Sequence, residues 1–477
     1  MSRSPARRYA QPGRMLRFGT DGVRGLANTE LSPELVLALG RAAARVLDPP
    51  AGSSRRFIVG RDTRRSGPLL AAALSAGLAG EGLDVIDVGV LPTPAVAYLS
   101  AQQAVPAAVI SASHNPFWDN GVKFFSAGGK KLPDQIEQAF ETELQQLVGR
   151  PGRPGGRDLP TGAALGSLLG DPDALSRYER YVLGCLQGRD LEGLRVVLDC
   201  ANGAASTSGP QIFAAAGADL GTVIAATPDG TNINEGCGST DPRRLIQAVI
   251  EQRADLGLAF DGDADRVIAV DADGNIVDGD RLIALFALDL AGQDQLAGRT
   301  VVVTVMTNLG FHQAMRAAGI TVHTVAVGDR YVLEALDTNR WSLGGEQSGH
   351  IVFRSLATTG DGVLSGLLLA DLIRRRGASL REMAGTVMRQ LPQVLRNVPV
   401  RDRDELAGAS TVWDQVARLG RQLGDSGRVL LRPSGTEPLV RVMVEAPTKQ
   451  QASEAAEQIV AALRTALGSP AVPPQHR

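Results

Sequence analysis

An α/β fold of three similar domains, followed by a smaller C-terminal α+β domain, is predicted by this 477-residue sequence. Short β-branched runs, each followed by a polar turn and then a helix-like stretch, occur three times. The occurrences lie roughly a domain length apart. After about Pro392 the pattern changes to a smaller unit of apolar runs, one Pro-Ser-Gly turn and a final Ala-rich helix-like segment.

The three openings are RFIVGRDTRRSGPLLAAALSAGL from Arg56, LRVVLDCANGAASTSGPQIFAAAG from Leu194 and RTVVVTVMTNLGFHQAMRAAG from Arg299. Each apolar run is too short for a helix and is bounded by turn residues, so it reads as a buried strand. The Ala- and Leu-rich stretches behind them read as helices. Repeated strand–loop–helix units indicate α/β layers with largely parallel sheets. The Gly/Pro-rich VGRPGRPGGRDLP, residues 148 to 160, leads into the second domain, and a softer boundary falls near DGNIVDGDRL, residues 273 to 282. DGVLSGLLLADLIRRRG closes the third unit. VRDRDELAG, RVLLRPSGTEPLVRVMVEA and KQQASEAAEQIVAALRTAL make the α+β unit, and GSPAVPPQHR is a loose tail. The expected domains span 15–157, 158–276, 277–388 and 389–468.

Composition narrows the function. Hydrophobic residues make up 44% and charged residues 21%, enough to bury real cores. A net charge of −2 gives no reason to expect nucleic acid or an anionic membrane as partner. No window of 18 apolar residues is free of charge, so no membrane span is expected. The three cysteines, Cys185, Cys200 and Cys237, are widely spaced and make no disulfide framework, which fits a reducing cytoplasm. The Arg-rich first residues lack an apolar stretch behind them and read as a frayed tail rather than a secretory signal.

Of the 49 basic residues only four are lysines: Lys123, Lys130, Lys131 and Lys449. Arginine effectively never loses its proton, whereas lysine can be tuned to exchange one. Lys123 is therefore a candidate acid or base, while Lys130 and Lys131 read as surface lysines.

In open α/β sheets ligands bind outside the carboxyl ends of strands, so the loops after the apolar runs are the informative ones. LAFDGDADRVIAV, residues 258 to 270, sets Asp261, Asp263 and Asp265 at alternate positions between two strands. Alternation points them to one side, where like charges repel unless a cation joins them. All-oxygen ligation suits Mg²⁺ or Mn²⁺. A calcium EF-hand also begins D-x-D-x-D, but Arg266 stands where its glycine belongs and Ala272 where its glutamate belongs. In LLRPSGTEPLVRV, residues 430 to 442, Arg432, Ser434, Gly435 and Thr436 follow an apolar run, with Arg441 in reach. The group suits a phosphate equally as it suits an ordinary hairpin turn. SLGGEQSGHIVF, residues 342 to 353, flanks Glu346, Gln347 and Ser348 with glycines, and RFGTDGVRG, residues 17 to 25, ends near Arg24. Neither is specific alone. VISASHNPFWDNGVKFF, residues 109 to 125, places Ser111, Ser113 and His114 at the mouth of a strand. This is either a capped turn or a nucleophile beside a base. No G-x-S-x-G elbow surrounds it, so a serine that carries a phosphoryl group fits better than acyl transfer.

ASHNP, DGDADR, GEQSGH and RPSGTEP stand here in the order and spacing of the α-D-phosphohexomutase superfamily, which the chain resembles over about residues 15 to 468. FGTDGVRG, GTNIN with CGST (residues 230 to 240), GDRYV (328 to 332) and Gln347 favour its amino-sugar branch. The resemblance implies three mixed-sheet α/β domains and a smaller fourth, one loop from each meeting in a central cleft. It implies Ser113 as phosphoserine, with Asp261, Asp263, Asp265 and the Ser113 phosphate holding one Mg²⁺. Glu346 and Ser348 match sugar-hydroxyl contacts; Arg432, Ser434, Gly435 and Thr436 match a distal phosphate site; Lys123 and Arg24 match residues near the transferring phosphate. Either Lys123 or His114 moves the proton, and the fourth domain hinges. The implied activity interconverts glucosamine 6-phosphate and glucosamine 1-phosphate through a sugar 1,6-bisphosphate, on the route to UDP-N-acetylglucosamine. The implied partner is a phosphorylated amino sugar, with a homodimer left open. The alternatives are the glucose- and mannose-phosphate branch, a metal-dependent sugar phosphatase, and a non-catalytic phosphosugar-binding protein.

Overall fold

A computed structural model describes residues 22–47, 55–148, 158–434 and 438–468. Each predicted opening forms its strand and helix: Arg56–Arg61 with Gly67–Gly80, Arg195–Asp199 with Ala205–Ala215, and Thr300–Thr304 with Leu309–Ala317.

The first sheet has seven strands. Arg56–Arg61 is central and runs parallel to Asp84–Val90 and Ala107–Ile110. Asp119–Ser126 returns antiparallel to Ala107–Ile110, and Val23–Leu26 lies antiparallel outside it. Leu168–Gly170, beyond the Gly/Pro-rich linker, completes the sheet parallel to Asp84–Val90. One face is covered by Pro33–Val46, Gly67–Gly80 and Asp134–Val148, around a core that includes Leu39, Phe57, Leu74, Phe124 and Phe140. Two of these helices cross at Gly40 and Gly77. A Cβ at Gly40 would lie 2.3 Å from the Leu74 carbonyl oxygen, so only glycine allows that approach.

The second sheet orders Ile276–Val277, Val267–Asp271, Leu256–Phe260, Arg195–Asp199 and Asp219–Ile224, with the last three parallel and the hairpin antiparallel. The third orders Thr321–Val325, Thr300–Thr304, Leu343–Gly345 and Ile351–Phe353. The helix Gly362–Arg376, predicted to close the third unit, forms, yet Gly366 faces Leu258 and Phe213 of the second sheet's layer. The sheets are mixed, as the family resemblance implies, because each contains an antiparallel hairpin beside its parallel strands.

The smaller domain is a three-stranded antiparallel sheet, Gln393–Pro399, Leu439–Glu445 and Arg428–Pro433, backed by Ser410–Leu423 and Lys449–Leu467. Its own core includes Val442, Val444, Val412 and Ile459. By contacts the chain divides into two compact units, Met1–Val305 with His323–Ala384 and Met306–Val322 with Gly385–Arg477. In the second unit the buried Glu445 gathers the ends of several segments. It accepts from Arg428 Nε at 2.7 Å, the Leu309 amide at 2.9 Å and Gln393 Nε2 at 2.9 Å. Among the described residues no helix is long and apolar enough to cross a membrane.

Candidate active site

The acidic triplet occupies the turn of the hairpin Leu256–Phe260 to Val267–Asp271. Strand alternation does not bring these carboxylates together, as expected from sequence; the turn does, with Ala264 at φ 57°. One oxygen from each of Asp261, Asp263 and Asp265 lies within 4.8 Å of the others, and all three residues are buried. Burial first, and then the charges of Asp265 and Asp263, push the Asp261 carboxyl well above the usual carboxylate range. Asp263 accepts on Oδ2 from Thr93 Oγ1 at 2.6 Å and Lys123 Nζ at 2.7 Å. Its other oxygen, Oδ1, is buried without a hydrogen-bond partner among the described residues. Converging carboxylate oxygens, one of them unsatisfied, fit a hard divalent cation with oxygen ligands.

Ser113 stands beside this triplet. It follows the strand Ala107–Ile110 and adopts φ 53°, a left-handed conformation costing about 1–3 kcal/mol for a residue with a β-carbon. Its Oγ donates to Asp261 Oδ2 at 2.6 Å and lies 3.2 Å from His114 Nδ1. Burial, then the Arg266 and Arg24 guanidiniums, push the His114 imidazole below its ordinary range. Ser111 is turned elsewhere: its hydroxyl donates to Asp62 at 2.7 Å and accepts the Ser113 amide at 3.0 Å. At Gly262 a Cβ would fall 2.5 Å from the Ser113 carbonyl oxygen, so the backbone of the acidic loop needs glycine to approach the serine this closely.

Lys123 lies within the strand Asp119–Ser126, its Nζ against Asp263 and, at 3.3 Å, Asp265. Arg24 sits on Val23–Leu26 opposite Gly121 of that strand. Glu346 and Ser348 occupy the turn between Leu343–Gly345 and Ile351–Phe353. Glu346 Oε1 accepts the Gly328 amide at 3.2 Å, and Ser348 is exposed. The turn is tied to the acidic hairpin, since the Val267 amide donates to the Gly349 carbonyl at 3.1 Å. Lys131 is not a plain surface lysine: its Nζ pairs with Asp329, the first residue of the helix Asp329–Asn339, and its side chain is only 14% exposed. Lys130 is exposed, as expected.

In the second unit, Arg432 and Arg441 are direct cross-strand partners. Burial and the neighbouring Arg441 push the Arg432 guanidinium below its usual range. Two cations on one face repel unless an anion joins them. Ser434 is buried, its amide donates to Leu439 at 2.9 Å, and Arg403 donates to its carbonyl. Gly435 and Thr436 lie outside the described residues. Sequence reasoning missed Thr93, Asp62, Arg64, Asn234 and Arg403. The buried RDTR run and the GTNIN loop were visible, but nothing in their spacing shows what they touch.

Four family models match in succession: the phosphoglucomutase/phosphomannomutase alpha/beta/alpha domain I over residues 15–148, domain II over 178–274, domain III over 278–391 and the C-terminal domain over 395–462. The chain belongs to the phosphoglucomutase/phosphomannomutase family. Within this family it is 52% identical over 444 residues to a phosphoglucosamine mutase of Desulforudis audaxviator, covering 93% of this chain and 96% of that one. It is 54% identical over 461 residues to a phosphoglucosamine mutase of Nocardia farcinica, covering 93% and 98%. A phosphoglucomutase/phosphomannomutase family protein from Burkholderia thailandensis shares the fold, with TM-score 0.77 at 24% identity over 94% of this chain and 97% of that one. So does an Aspergillus fumigatus N-acetylphosphoglucosamine mutase solved in complex with GlcNAc-6P and magnesium, with TM-score 0.66 at 19% identity over 96% and 97%.

Proposed function

We propose that this member of the family is an isomerase that interconverts glucosamine 6-phosphate and glucosamine 1-phosphate, with Ser113 carrying the transferred phosphoryl group. The observation that carries this reading is the 2.6 Å contact of Ser113 Oγ with Asp261, one of three converging carboxylates. The relatives named phosphoglucosamine mutase support the choice of sugar.

In the first half-reaction O1 of the sugar attacks the phosphorus on Ser113. The O1–P bond forms, the P–Oγ bond breaks, and the proton leaving O1 replaces the phosphoryl group on Oγ. His114, kept neutral by burial and 3.2 Å from Oγ, is suited to pass that proton. The resulting 1,6-bisphosphate turns over, and the reverse exchange moves the 6-phosphoryl group back to Oγ, leaving glucosamine 1-phosphate. Asp261, Asp263 and Asp265 would hold Mg²⁺, which supplies positive charge to the phosphoryl oxygens during transfer. Lys123 orients Asp263 and Asp265, and Arg24 adds positive charge near His114. Glu346 and Ser348 are assigned to the sugar hydroxyls. Arg432, Ser434 and Arg441, with Gly435 and Thr436, are assigned to the phosphate that is not reacting.

Peptide mass spectrometry for phosphate on Ser113, joined to parallel assays of glucosamine, glucose and mannose 6-phosphates, tests the reading. Glucosamine 6-phosphate should have the highest kcat/KM, with stimulation by the 1,6-bisphosphate. A preference for glucose or mannose would move the chain to the other branch of the family. Steady release of inorganic phosphate would make it a phosphatase.

A further inference from the structure

Ser113 holds a left-handed backbone conformation that a serine keeps only when its surroundings over-determine it. A buried guanidinium reaches the Ser113 carbonyl. Arg64 is 1% exposed, and an arginine offers five N–H donors in a rigid planar fork. Here all five are engaged. Nε donates to Asp62 Oδ2 at 2.9 Å, Nη2 to the carbonyls of Ser113 at 2.9 Å and Asn115 at 2.8 Å, and Nη1 to the carbonyls of Asp119 at 3.1 Å and Pro116. Asp62 closes the ring by accepting from Ser111, whose hydroxyl receives the Ser113 amide. A second clamp comes from the GTNIN loop: Asn234 Nδ2 donates to the Ser113 and Asn115 carbonyls at 2.9 and 3.0 Å. The Arg65 amide docks that same loop by donating to the Gly230 carbonyl at 2.8 Å.

We infer that Arg64 is the positioning residue for phosphoryl transfer, with Asn234 as its second clamp: together they fix the Ser113 backbone so that Oγ keeps one direction toward the acidic triplet. The inference rests on the reading of Ser113 as the phosphoryl carrier. Neither side chain is assigned contact with substrate. Their effect is geometric, and a misplacement of about 1 Å at a reacting centre can cost on the order of 10²-fold in rate. Lysine cannot replace Arg64, because its three donors radiate from one nitrogen and cannot span four carbonyls and a carboxylate.

The test uses the full-length enzyme with Mg²⁺ and compares Arg64→Lys and Asn234→Ala with wild type. Circular dichroism and the thermal midpoint are read at the assay temperature, so that the folded fraction is known. The measured quantities are kcat and KM for glucosamine 6-phosphate, and the single-turnover rate at which phosphorylated enzyme passes its phosphoryl group to that sugar. Expected are a fall of about 10- to 100-fold in kcat and in the single-turnover rate for both variants, with KM within about threefold of wild type. Should Arg64→Lys not fold, Asn234→Ala carries the test alone. Wild-type kcat in the folded variants, or a loss matching only the unfolded fraction, overturns the inference while phosphate on Ser113 still stands. Absence of phosphate from Ser113 in active wild-type enzyme overturns the carrier reading and the inference with it.

Discussion

Ser113 Oγ donates to Asp261 Oδ2 at 2.6 Å, although 148 positions separate the two residues in the chain. The serine comes from the end of a strand in the first sheet and the aspartate from a hairpin turn in the second, so the contact joins two domains. Ser113→Ala should abolish turnover in a coupled assay, and no phosphate should appear at that position. Its thermal midpoint should stay close to wild type, since the loss is one hydroxyl beside a carboxyl already displaced upward by burial. Appreciable turnover in the alanine variant contradicts the phosphoserine route.

Thr93 sets which oxygen of Asp263 is spoken for. Its hydroxyl and the Lys123 ammonium both take Oδ2 and leave the buried Oδ1 open. Outer-shell partners of this kind are typically worth about 10- to 100-fold in metal affinity. Thr93→Val should weaken Mg²⁺ binding by that factor in calorimetric titration, and Thr93→Ser should retain it. Asp263→Asn should weaken binding further. Equal Mg²⁺ affinity in all four proteins would remove the triplet from metal binding.

Tyr178 and Asp361 make the stability of the chain depend on pH. Burial pushes the Asp361 carboxyl from 3.8 up to about 6, despite donors at Leu364, Tyr178 and Val363; Asp265 adds to the rise. The folded chain thus binds this proton more tightly than the unfolded chain. The resulting stabilisation is complete below the unfolded value and is lost as pH rises through about 6. Tyr178 donates to both carboxylate oxygens, at 3.0 and 2.9 Å. A hydrogen bond to a charged group contributes about 1.5–3 kcal/mol. Tyr178→Phe should therefore lower the thermal midpoint more at pH 7.5 than at pH 5. Scanning calorimetry at the two pH values checks this, and equal losses would show that the hydroxyl does not serve the ionised carboxylate.

Arg432 and Arg441 face each other across one strand pair, an arrangement that repels without an anion. Removing either should raise KM for glucosamine 6-phosphate by about 10- to 100-fold, from the roughly 1.5–3 kcal/mol of a charge-assisted contact. The thermal midpoint of the substrate-free protein is measured in parallel, so that a loss of folded protein is separated from a loss of binding. Arg432→Ala and Arg441→Ala assayed by steady-state kinetics and thermal unfolding decide it; unchanged KM in both variants would place the phosphate elsewhere.

Much of the fold was legible in the chain itself. The runs at Arg56, Leu194 and Arg299 marked three strand–helix units because β-branched residues and turn residues act locally. The change after Pro392 marked the smaller domain for the same reason. The hairpin returns were less legible: Asp119–Ser126 and Val267–Asp271 are buried on both faces, so their pattern carries no sign of direction. The helix Gly362–Arg376 was foreseen, but not that it would rest on Leu258 and Phe213.

The sequence by itself determined which residue types were available for chemistry. It held three aspartates at alternate positions between two apolar runs, a serine before a histidine, and one of only four lysines in a chain that otherwise uses arginine. Their identity and order survive without any fold. Only the tertiary structure decided that Ser113 rather than Ser111 faces the carboxylates, that Thr93 and Lys123 share one oxygen of Asp263, and that Arg64 gives four of its five donors to carbonyls of the serine loop and its flank. Those outcomes depend on hydrogen-bond geometry between segments far apart in the chain, and backbone carbonyls, which take most of the Arg64 donors, look the same at every position of a sequence.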